Sequence, residues 1–251
     1  MKRETISKLL TEGKCLFLAY DQGLEHGPTD FNDANVNPKD IITIAKKGKF
    51  NALVFQKGLA EQYQKEIKAS KVPLILKLNG KTNLVKGDPI APQLCTVSEA
   101  IALGASAVGY TIYIGSQHES VMLKEFENIE RETHAANIPV IAWIYPRGAG
   151  TENKSAGELL AYAARVGLEI GADMVKLHWS SSPKDLEWAV KAAGKCRVVV
   201  AGGMKADEET FFMQAQQAMA TGITGLAVGR NIWQNPSPLD FTKKVKKIIW
   251  Q

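Results

Sequence analysis

Short apolar runs alternate with amphipathic stretches along the whole chain. A short apolar run bounded by polar or turn-forming residues is typical of a strand that is covered on both faces, as in a parallel sheet. Eight runs fit this pattern, and we predict strands at residues 15–21, 52–56, 73–79, 107–113, 139–145, 174–179, 197–201 and 225–228.

Helix-like segments lie between these runs, and the clearest are residues 116–136, 155–170, 183–193 and 207–220. The last three begin with Ser155, Pro183 and Asp207, which are residue types that favour the first positions of a helix. Strands and helices that alternate eight times predict an α/β protein built as a parallel (β/α)8 barrel, or TIM barrel. A doubly wound open sheet is the alternative.

The length of the chain agrees with a single barrel domain. It has 251 residues, and a barrel of this kind takes about 250 residues. No linker or change of composition divides the sequence, so we expect one domain over residues 1–251. Residues 1–10 could form an extra helix over the barrel floor, and residues 80–92, rich in Gly, Asn, Lys and Pro, are a predicted loop.

Composition limits the environment and the partners of the protein. Hydrophobic residues make up 45% of the chain and charged residues 23%, as in ordinary globular proteins. No apolar run reaches the roughly 18 residues that a membrane helix needs. Cysteines are few and the start lacks the apolar region of a secretory signal, so we expect a cytoplasmic protein without membrane contact. The net charge of +5 is spread along the chain, which favours a small anionic substrate over nucleic acid.

Three polar residues lie at equivalent ends of predicted strands. Lys176 is set within the sixth apolar run, while Asp21 ends the first and Tyr145 ends the fifth. Burial lowers the pKa of a lysine and makes its amine a nucleophile toward carbonyl carbons. Because barrel active sites lie at the carboxyl ends of the strands, the three side chains could converge there. Each has a structural alternative: Asp21 could cap a turn, Tyr145 could be a core aromatic, and Lys176 could extend into water or pair with a carboxylate.

The last two predicted strands each precede a turn that contains glycine. Gly202 and Gly203 follow the seventh strand, and Gly229 and Arg230 follow the eighth. Barrels often bind a phosphate at these two turns, because glycines let backbone N–H groups approach the anion and an arginine adds charged donors. Two ordinary tight turns are the alternative.

Five segments together resemble the archaeal-type class I fructose-bisphosphate aldolases, in register over about residues 15–234. They are Asp21-Gln22-Gly23-Leu24-Glu25-His26-Gly27-Pro28, Trp143-Ile144-Tyr145-Pro146-Arg147-Gly148, Lys176 within its strand, Gly202-Gly203, and Val228-Gly229-Arg230-Asn231-Ile232-Trp233. That family performs Schiff-base chemistry on a (β/α)8 barrel, without a metal or another cofactor. The resemblance implies that Lys176 forms the imine, that Tyr145 transfers protons, and that Asp21 assists at the amine and at the substrate hydroxyls.

The same resemblance implies a phosphosugar substrate and a homo-oligomer. Trp143 would pack against the sugar, while a phosphate would be held by Gly202, Gly203, Gly229 and Arg230. The reaction would be the reversible cleavage of fructose 1,6-bisphosphate to dihydroxyacetone phosphate and glyceraldehyde 3-phosphate. The histidines are scattered and none has the H-x-x-x-H spacing of a metal site, so a zinc-dependent aldolase is not expected.

Two departures from the family concern the phosphate contacts. The segment after Lys176 reads His178-Trp179-Ser180-Ser181-Ser182, where the family has an aromatic residue followed by Thr and Gly. Ala201 stands before Gly202, where the family commonly has a serine. Hydroxyl groups are kept in the first segment, but its glycine is lost.

Other readings of the sequence remain open. A related activity is that of 2-amino-3,7-dideoxy-D-threo-hept-6-ulosonate synthase, which shares the lysine and tyrosine chemistry, and a barrel that binds phosphosugars without catalysis is a further alternative. Lys57 and Lys77 are rival nucleophiles or phosphate ligands. Together with Arg147, these two lysines are also the candidates for holding a second phosphate.

Overall fold

The computed structural model of the chain describes residues 5–179 and 182–251. The strands in these two ranges form one closed parallel barrel in sequence order, in which the last strand pairs with the first. They are β1 (Cys15–Ala19), β2 (Ala52–Gln56), β3 (Leu74–Lys77), β4 (Ala107–Ile112), β5 (Val140–Ile144), β6 (Met174–Leu177), β7 (Arg197–Ala201) and β8 (Gly225–Val228). The predicted (β/α)8 barrel is confirmed, and the open sheet is excluded because β1 and β8 are hydrogen-bonded neighbours.

Several strands end earlier than the apolar pattern predicts, and β3 shows why. Asn79, placed inside the predicted strand, accepts a hydrogen bond from Thr111 N at 2.7 Å. Its Nδ2 donates to Thr111 O and to Ala91 O, each at 2.8 Å. These side-chain bonds replace the ladder bonds of a longer strand, and residues 80–92 then form the predicted loop.

Helices surround the barrel in the described ranges. They are α1 (Gly23–His26), α2 (Pro38–Lys47), α3 (Lys57–Gln62), α4 (Gln64–Ser70), α5 (Val97–Ala102), α6 (Glu119–Ala135), α7 (Ala156–Glu169), α8 (Pro183–Ala193), α9 (Glu208–Ala220), α10 (Arg230–Trp233) and α11 (Pro238–Ile249). Short 3-10 helices lie at Thr5–Leu9, Gly27–Asp30 and Ala149–Thr151. Within these ranges, no helix is both long and apolar enough to cross a membrane.

The predicted helix starts agree with the structure where a cap was recognised. Ser155 precedes α7, and its Oγ accepts a hydrogen bond from Glu158 N at 3.2 Å. The segment predicted to be helical from residue 116 begins as α6 only at Glu119. Ser116 instead donates to Pro89 O at 2.7 Å, which ties this turn to the loop that follows β3.

Apolar side chains fill the inside of the barrel and close its amino-terminal end. The interior cluster includes Phe17 on β1 and Ile141 on β5. Ile6 and Leu9, from the 3-10 helix that precedes β1, pack into the same cluster. The amino-terminal end of the barrel is therefore apolar, and we expect polar reacting groups at the carboxyl ends of the strands. Residues 1–4 of the predicted floor helix lie outside the described residues.

Candidate active site

A cavity of about 370 Å³ opens where the strands end and the following loops begin. The residues that line it include every catalytic and binding residue predicted from the sequence: Asp21, Trp143, Tyr145, Lys176, Gly202, Gly203, Gly229 and Arg230. They come from five strand ends that are far apart in the sequence. The closed barrel brings them together because all its strands run in one direction.

Lys176 points into the barrel from β6 and reaches the bottom of this cavity. Its side chain does not extend into bulk water, since the residue is only 6% exposed. It pairs in register with Trp143 on β5, and its Nζ lies 5.0 Å from the centroid of that indole ring. Burial lowers the pKa of Lys176, while the carboxylates of Asp21 and Glu25 partly oppose this change. The amine can therefore lose its proton more readily than a lysine in water.

Tyr145 follows β5 and keeps its phenolic proton. Burial raises the pKa of Tyr145 well above its usual value, and the nearby Asp21 carboxylate raises it further. The phenol ring stacks on the imidazole of His178, with ring centroids 3.9 Å apart and planes inclined by 21°. A protonated phenol held in one orientation can donate a proton to a substrate oxygen and take it back.

His178 and Glu25 are cavity residues to which sequence reasoning gave no role. Burial, with Arg147 and Lys176 nearby, lowers the pKa of His178 to about 4, so its imidazole is neutral at physiological pH. Glu25 accepts a hydrogen bond from Arg147 Nη1 at 3.1 Å. His178 could have been found, because it lies two residues after Lys176 and so shares its face of the strand.

Arg147 lines the cavity, and its guanidinium group lies over two aromatic rings. Its guanidinium carbon lies 5.3 Å from the ring centroid of Tyr113 and 5.7 Å from that of Tyr145. Its ion pair with Glu25 leaves other N–H donors of the guanidinium for a ligand. Of the three residues considered for a second phosphate, Arg147 both lines the cavity and is partly exposed, whereas Lys57 does not line it and Lys77 is buried.

The glycine turns after β7 and β8 lie side by side, and Asn231 joins them. Its Nδ2 donates to Gly202 O at 2.7 Å and to Met204 O at 3.0 Å, while its Oδ1 accepts from Ala206 N at 2.9 Å. Gly203 has φ of +67°, a conformation that favours glycine. Asn231 was recognised only as part of a motif, because its contacts cross between turns that are distant in sequence.

Gly229 and Arg230 form the other side of this pair of turns. A Cβ on residue 229 would lie 2.7 Å from Ala19 O, so only glycine fits there without displacing β1. Arg230 Nη1 lies 3.6 Å from Asp30 Oδ2, and its Nη2 donates to Gly203 O at 3.4 Å. The guanidinium is thus placed beside the turns, where it can add donors for an anion.

The two rival lysines occupy different places. Lys57 Nζ lies 2.5 Å from Glu99 Oε1 and 3.8 Å from Glu61 Oε1, and the residue does not line the cavity. Lys77 does line it and is almost completely buried. Ser180 and Ser181, in the segment that departs from the family, lie outside the described residues. Among the residues that the structure describes, no group of three His, Cys, Asp or Glu side chains is arranged to hold a metal ion.

Comparison with known proteins agrees with this site. The family model described as DeoC/LacD family aldolase matches residues 15–235. Fructose-bisphosphate aldolase class 1 of Thermoproteus tenax is 45% identical over 95% of this chain and 90% of its own. 2-Amino-3,7-dideoxy-D-threo-hept-6-ulosonate synthase 1 of Archaeoglobus fulgidus is 30% identical over 99% of this chain and 90% of its own.

Among solved structures, one of an archaeal fructose-1,6-bisphosphate aldolase superposes with a TM-score of 0.94. It is 43% identical and covers 99% of each chain, and its catalytic lysine is covalently bound to the carbinolamine intermediate of the substrate. The matched region contains the whole barrel and every residue of the site described above. The chain therefore belongs to the DeoC/LacD family of aldolases.

Proposed function

We propose that this protein is a class I aldolase that cleaves fructose 1,6-bisphosphate reversibly to dihydroxyacetone phosphate and glyceraldehyde 3-phosphate. The observation that carries the proposal is the buried amine of Lys176 at the bottom of a cavity, with a carboxylate and a protonated phenol close by. The relatives that carry this activity are similar over nearly the full chain, which supports the same assignment.

The reaction begins at the carbonyl carbon of the sugar. The neutral amine of Lys176 adds to C2, and loss of water from the carbinolamine gives a protonated imine. A base then removes the proton of the C4 hydroxyl, the C3–C4 bond breaks, and its electron pair moves into the imine. Glyceraldehyde 3-phosphate leaves. The resulting enamine takes a proton at C3, and water hydrolyses the imine to release dihydroxyacetone phosphate and the free amine.

Tyr145 and Asp21 carry the proton transfers in this proposal. The phenol of Tyr145, protonated because of its raised pKa, can give a proton to the departing carbinolamine hydroxyl and recover one later. The Asp21 carboxylate lines the same cavity and opposes the lowering of the Lys176 pKa, and we assign it to assist at the amine and at the substrate hydroxyls. Trp143 gives the sugar an apolar surface next to the imine.

The two ends of the substrate fix its orientation. The glycine turns with Arg230 suit the phosphate on C1, because they lie beside β6 and its lysine. Arg147, which lines the cavity and follows β5, suits the phosphate on C6. Binding energy from both phosphates then holds C2 against the amine. The loss of a serine at Ala201 removes one side-chain donor and leaves the backbone N–H groups of the turns.

Borohydride trapping tests the nucleophile directly. Borohydride reduces an imine to a stable secondary amine, so treatment with dihydroxyacetone phosphate should leave one covalent adduct, on Lys176. Peptide mapping by mass spectrometry gives the position, and Lys176→Met is the matched control that should remain unlabelled. An adduct on Lys57 or Lys77 would refute the assignment, as would cleavage activity that a chelator abolishes.

The cellular location, the pathway and the oligomeric state are part of the same proposal. The low cysteine content suits a reducing cytoplasm, and reversible cleavage of a hexose bisphosphate serves glycolysis and gluconeogenesis. We also propose a homo-oligomer, which the resemblance to the family suggests. Light scattering of the purified protein tests the subunit assembly, and a monomer at micromolar concentration would contradict it.

A further inference from the structure

A second amine lies in the cavity, and the reaction described above does not use it. Lys77 points inward from β3, is 5% exposed, and has its Nζ 5.5 Å from the centroid of the Trp143 ring. Its register partner on β4 is Gly109, where any side chain would overlap Trp143. The missing side chain lets the indole extend from β5 across β4, so that its ring is close to both lysines.

Lys77 has more donors than the folded chain uses. An ammonium group carries three N–H donors. In the described part of the chain, Lys77 Nζ makes a single hydrogen bond, a long one of 3.4 Å to Asn79 O. The Nε1 of Trp143 is also buried and has no partner among the described residues. Buried donors are normally satisfied, because an unpaired polar group in a protein interior is costly. These two groups are therefore donors that can bind oxygen atoms of a ligand.

The order of strands in the barrel indicates which oxygen atoms of a bound sugar lie near Lys77. In a closed barrel of this order, β3 lies across from β7, and β6 is the neighbour of β7. A sugar that has its C1 phosphate at the turns after β7 and β8, and C2 at Lys176, has β3 on the opposite wall of the cavity from that phosphate. Lys77 lies beside the same ring as Lys176, with the two Nζ atoms 5.5 Å and 5.0 Å from its centroid. In the proposed orientation it lies near the middle of the sugar, while the C6 phosphate lies near Arg147.

We propose that Lys77 is a further catalytic residue, whose ammonium donates to the C4 oxygen and stabilises the negative charge that develops there as the C3–C4 bond breaks. The inference rests on the proposed aldolase function. A base takes the C4 proton and the ammonium keeps its own protons, so the step transfers no additional proton. In the direction of condensation, the same donor polarises the aldehyde carbonyl. The contact strengthens as charge appears, so it acts on kcat.

The ionisation of Lys77 supports this role. Burial lowers its pKa to about 8, the Asp21 carboxylate opposes the change, and Lys176 adds to it. Glu25 is the other charged group that acts on Lys77, and it favours the ammonium. Below pH 8 the group is therefore mainly a cation. An ammonium in a site from which water is largely excluded interacts strongly with a developing alkoxide.

Two reactions of the same protein separate the C4 contact from imine formation. Cleavage of fructose 1,6-bisphosphate passes through charge on the C4 oxygen, whereas trapping of dihydroxyacetone phosphate does not, because that molecule has no C4. Lys77→Met removes the ammonium at similar length, and Lys77→Gln keeps a neutral donor. Lys57→Met is the matched control, because that lysine is paired with Glu99 outside the cavity.

We expect Lys77→Met to lower kcat for cleavage by about 10²-fold or more, as for the loss of one donor to an oxyanion. Lys77→Gln should fall between this variant and the parent. The rate of borohydride trapping on Lys176 should stay within a small factor of the parent in both variants. Lys57→Met should change neither reaction. Circular dichroism reports whether each variant is folded, and if Lys77→Met is not, the comparison rests on Lys77→Gln.

Three results would overturn the inference. Cleavage near the parental rate in both Lys77 variants would show that no contact to C4 matters. An equal loss of cleavage and trapping in a folded variant would place the effect of Lys77 at the imine. An adduct on Lys77 in the parent protein would make it the nucleophile. Absence of trapping in the parent protein would instead refute the proposed aldolase function, and so the two failures can be told apart.

Discussion

The hydroxyl of Tyr145 can be removed without changing the size of the side-chain ring, so its chemical role can be tested separately from its packing. Tyr145→Phe keeps the ring and its stacking on His178 but removes the proton that the raised pKa retains. We expect kcat for cleavage to fall by roughly 10²–10⁴-fold, the usual cost of losing an acid/base group. Steady-state assays at saturating substrate measure this. Cleavage at the parental rate would leave Tyr145 with a packing role alone.

Lys77 makes a second prediction at the scale of one residue, about stability. Its pKa is about 8 in the folded chain and about 10.4 in an unfolded one. Between these values the unfolded chain binds a proton that the folded chain does not, so the free energy of unfolding rises with pH in this window. Below pH 8 the penalty is present in full, at about 3 kcal/mol for a shift of this size.

Lys77→Met removes that penalty. The variant should be more stable than the parent at pH 7, by up to about 3 kcal/mol, and the difference should shrink toward pH 10. Denaturant unfolding at both pH values measures the two free energies. A difference that grows with pH would have the wrong sign for a lysine with a lowered pKa.

A site residue can be predicted from the sequence when the residues next to it in the chain indicate its place in the fold. Lys176 could be predicted because a charged residue inside an apolar run requires a reason. Asp21 and Tyr145 could be predicted from their positions at strand ends. Asn231 and Glu25 could not, because their partners, Gly202 and Arg147, are brought close only by the closed barrel.

At the scale of elements, the important feature of β4 is the absence of a side chain at Gly109. Gly109 leaves space for the indole of Trp143, and a Cβ there would overlap the ring. Gly109→Ala should therefore displace Trp143. The substitution should lower the free energy of unfolding by about 1–3 kcal/mol, as in other overpacked cores, and it should also lower the cleavage rate. Thermal unfolding and steady-state assays measure the two effects.

Gly58 provides the comparison for this substitution. It lies in α3, and a Cβ at its position would have no neighbour within 4 Å. Gly58→Ala should leave activity unchanged and stabilise the helix, because alanine is the better helix former. If Gly109→Ala is as well tolerated as Gly58→Ala, the indole does not depend on the space above β4.

The strand positions followed from hydrophobicity, while the strand ends did not. An apolar run continues past the last ladder bond, because residues beyond it still face the core. Only the contacts of Asn79 and Ser116 show where the chain leaves its regular element. Those partners lie in other loops, so their effect cannot be read from the local pattern.

At the scale of the molecule, the proposal assigns the two phosphates of the substrate to different parts of the barrel mouth, and substrates of different length should distinguish them. Loss of a charged hydrogen bond to a phosphate costs about 1.5–3 kcal/mol, which is roughly ten- to a hundred-fold in affinity. Fructose 1-phosphate lacks the phosphate assigned to Arg147, so its kcat/KM should be lower than that of fructose 1,6-bisphosphate by about this factor.

Two arginine substitutions test that assignment. Arg147→Gln should impair the bisphosphate and leave fructose 1-phosphate almost unaffected, whereas Arg230→Gln should impair both sugars. Arg165→Gln, on the outer surface of α7, is the control that should change neither. Equal efficiency of the parent protein on both sugars would refute the bisphosphate assignment, and turnover only with an amino-sugar precursor would favour heptulosonate synthase activity.

The architecture itself was the part of the molecule most accessible from the sequence. Alternation of strand and helix follows from local hydrophobicity, and a parallel arrangement follows from the helices between strands. Closure depends on the pairing of β1 with β8, which are separated by nearly the whole chain. The count of eight made closure the favoured prediction, and no local signal could prove it.

Ile6 and Leu9 close the amino-terminal end of the barrel with apolar side chains, and the candidate cavity lies at the other end. In the proposed reaction, substrate and products therefore enter and leave at the carboxyl ends of the strands. In that reaction the three-carbon piece is still bonded to Lys176 after cleavage, so the aldehyde is the product that is free to leave first. The enamine then takes its proton at C3, and water hydrolyses the imine that forms. The covalent bond thus sets the order of product release in the proposed reaction: glyceraldehyde 3-phosphate leaves before dihydroxyacetone phosphate.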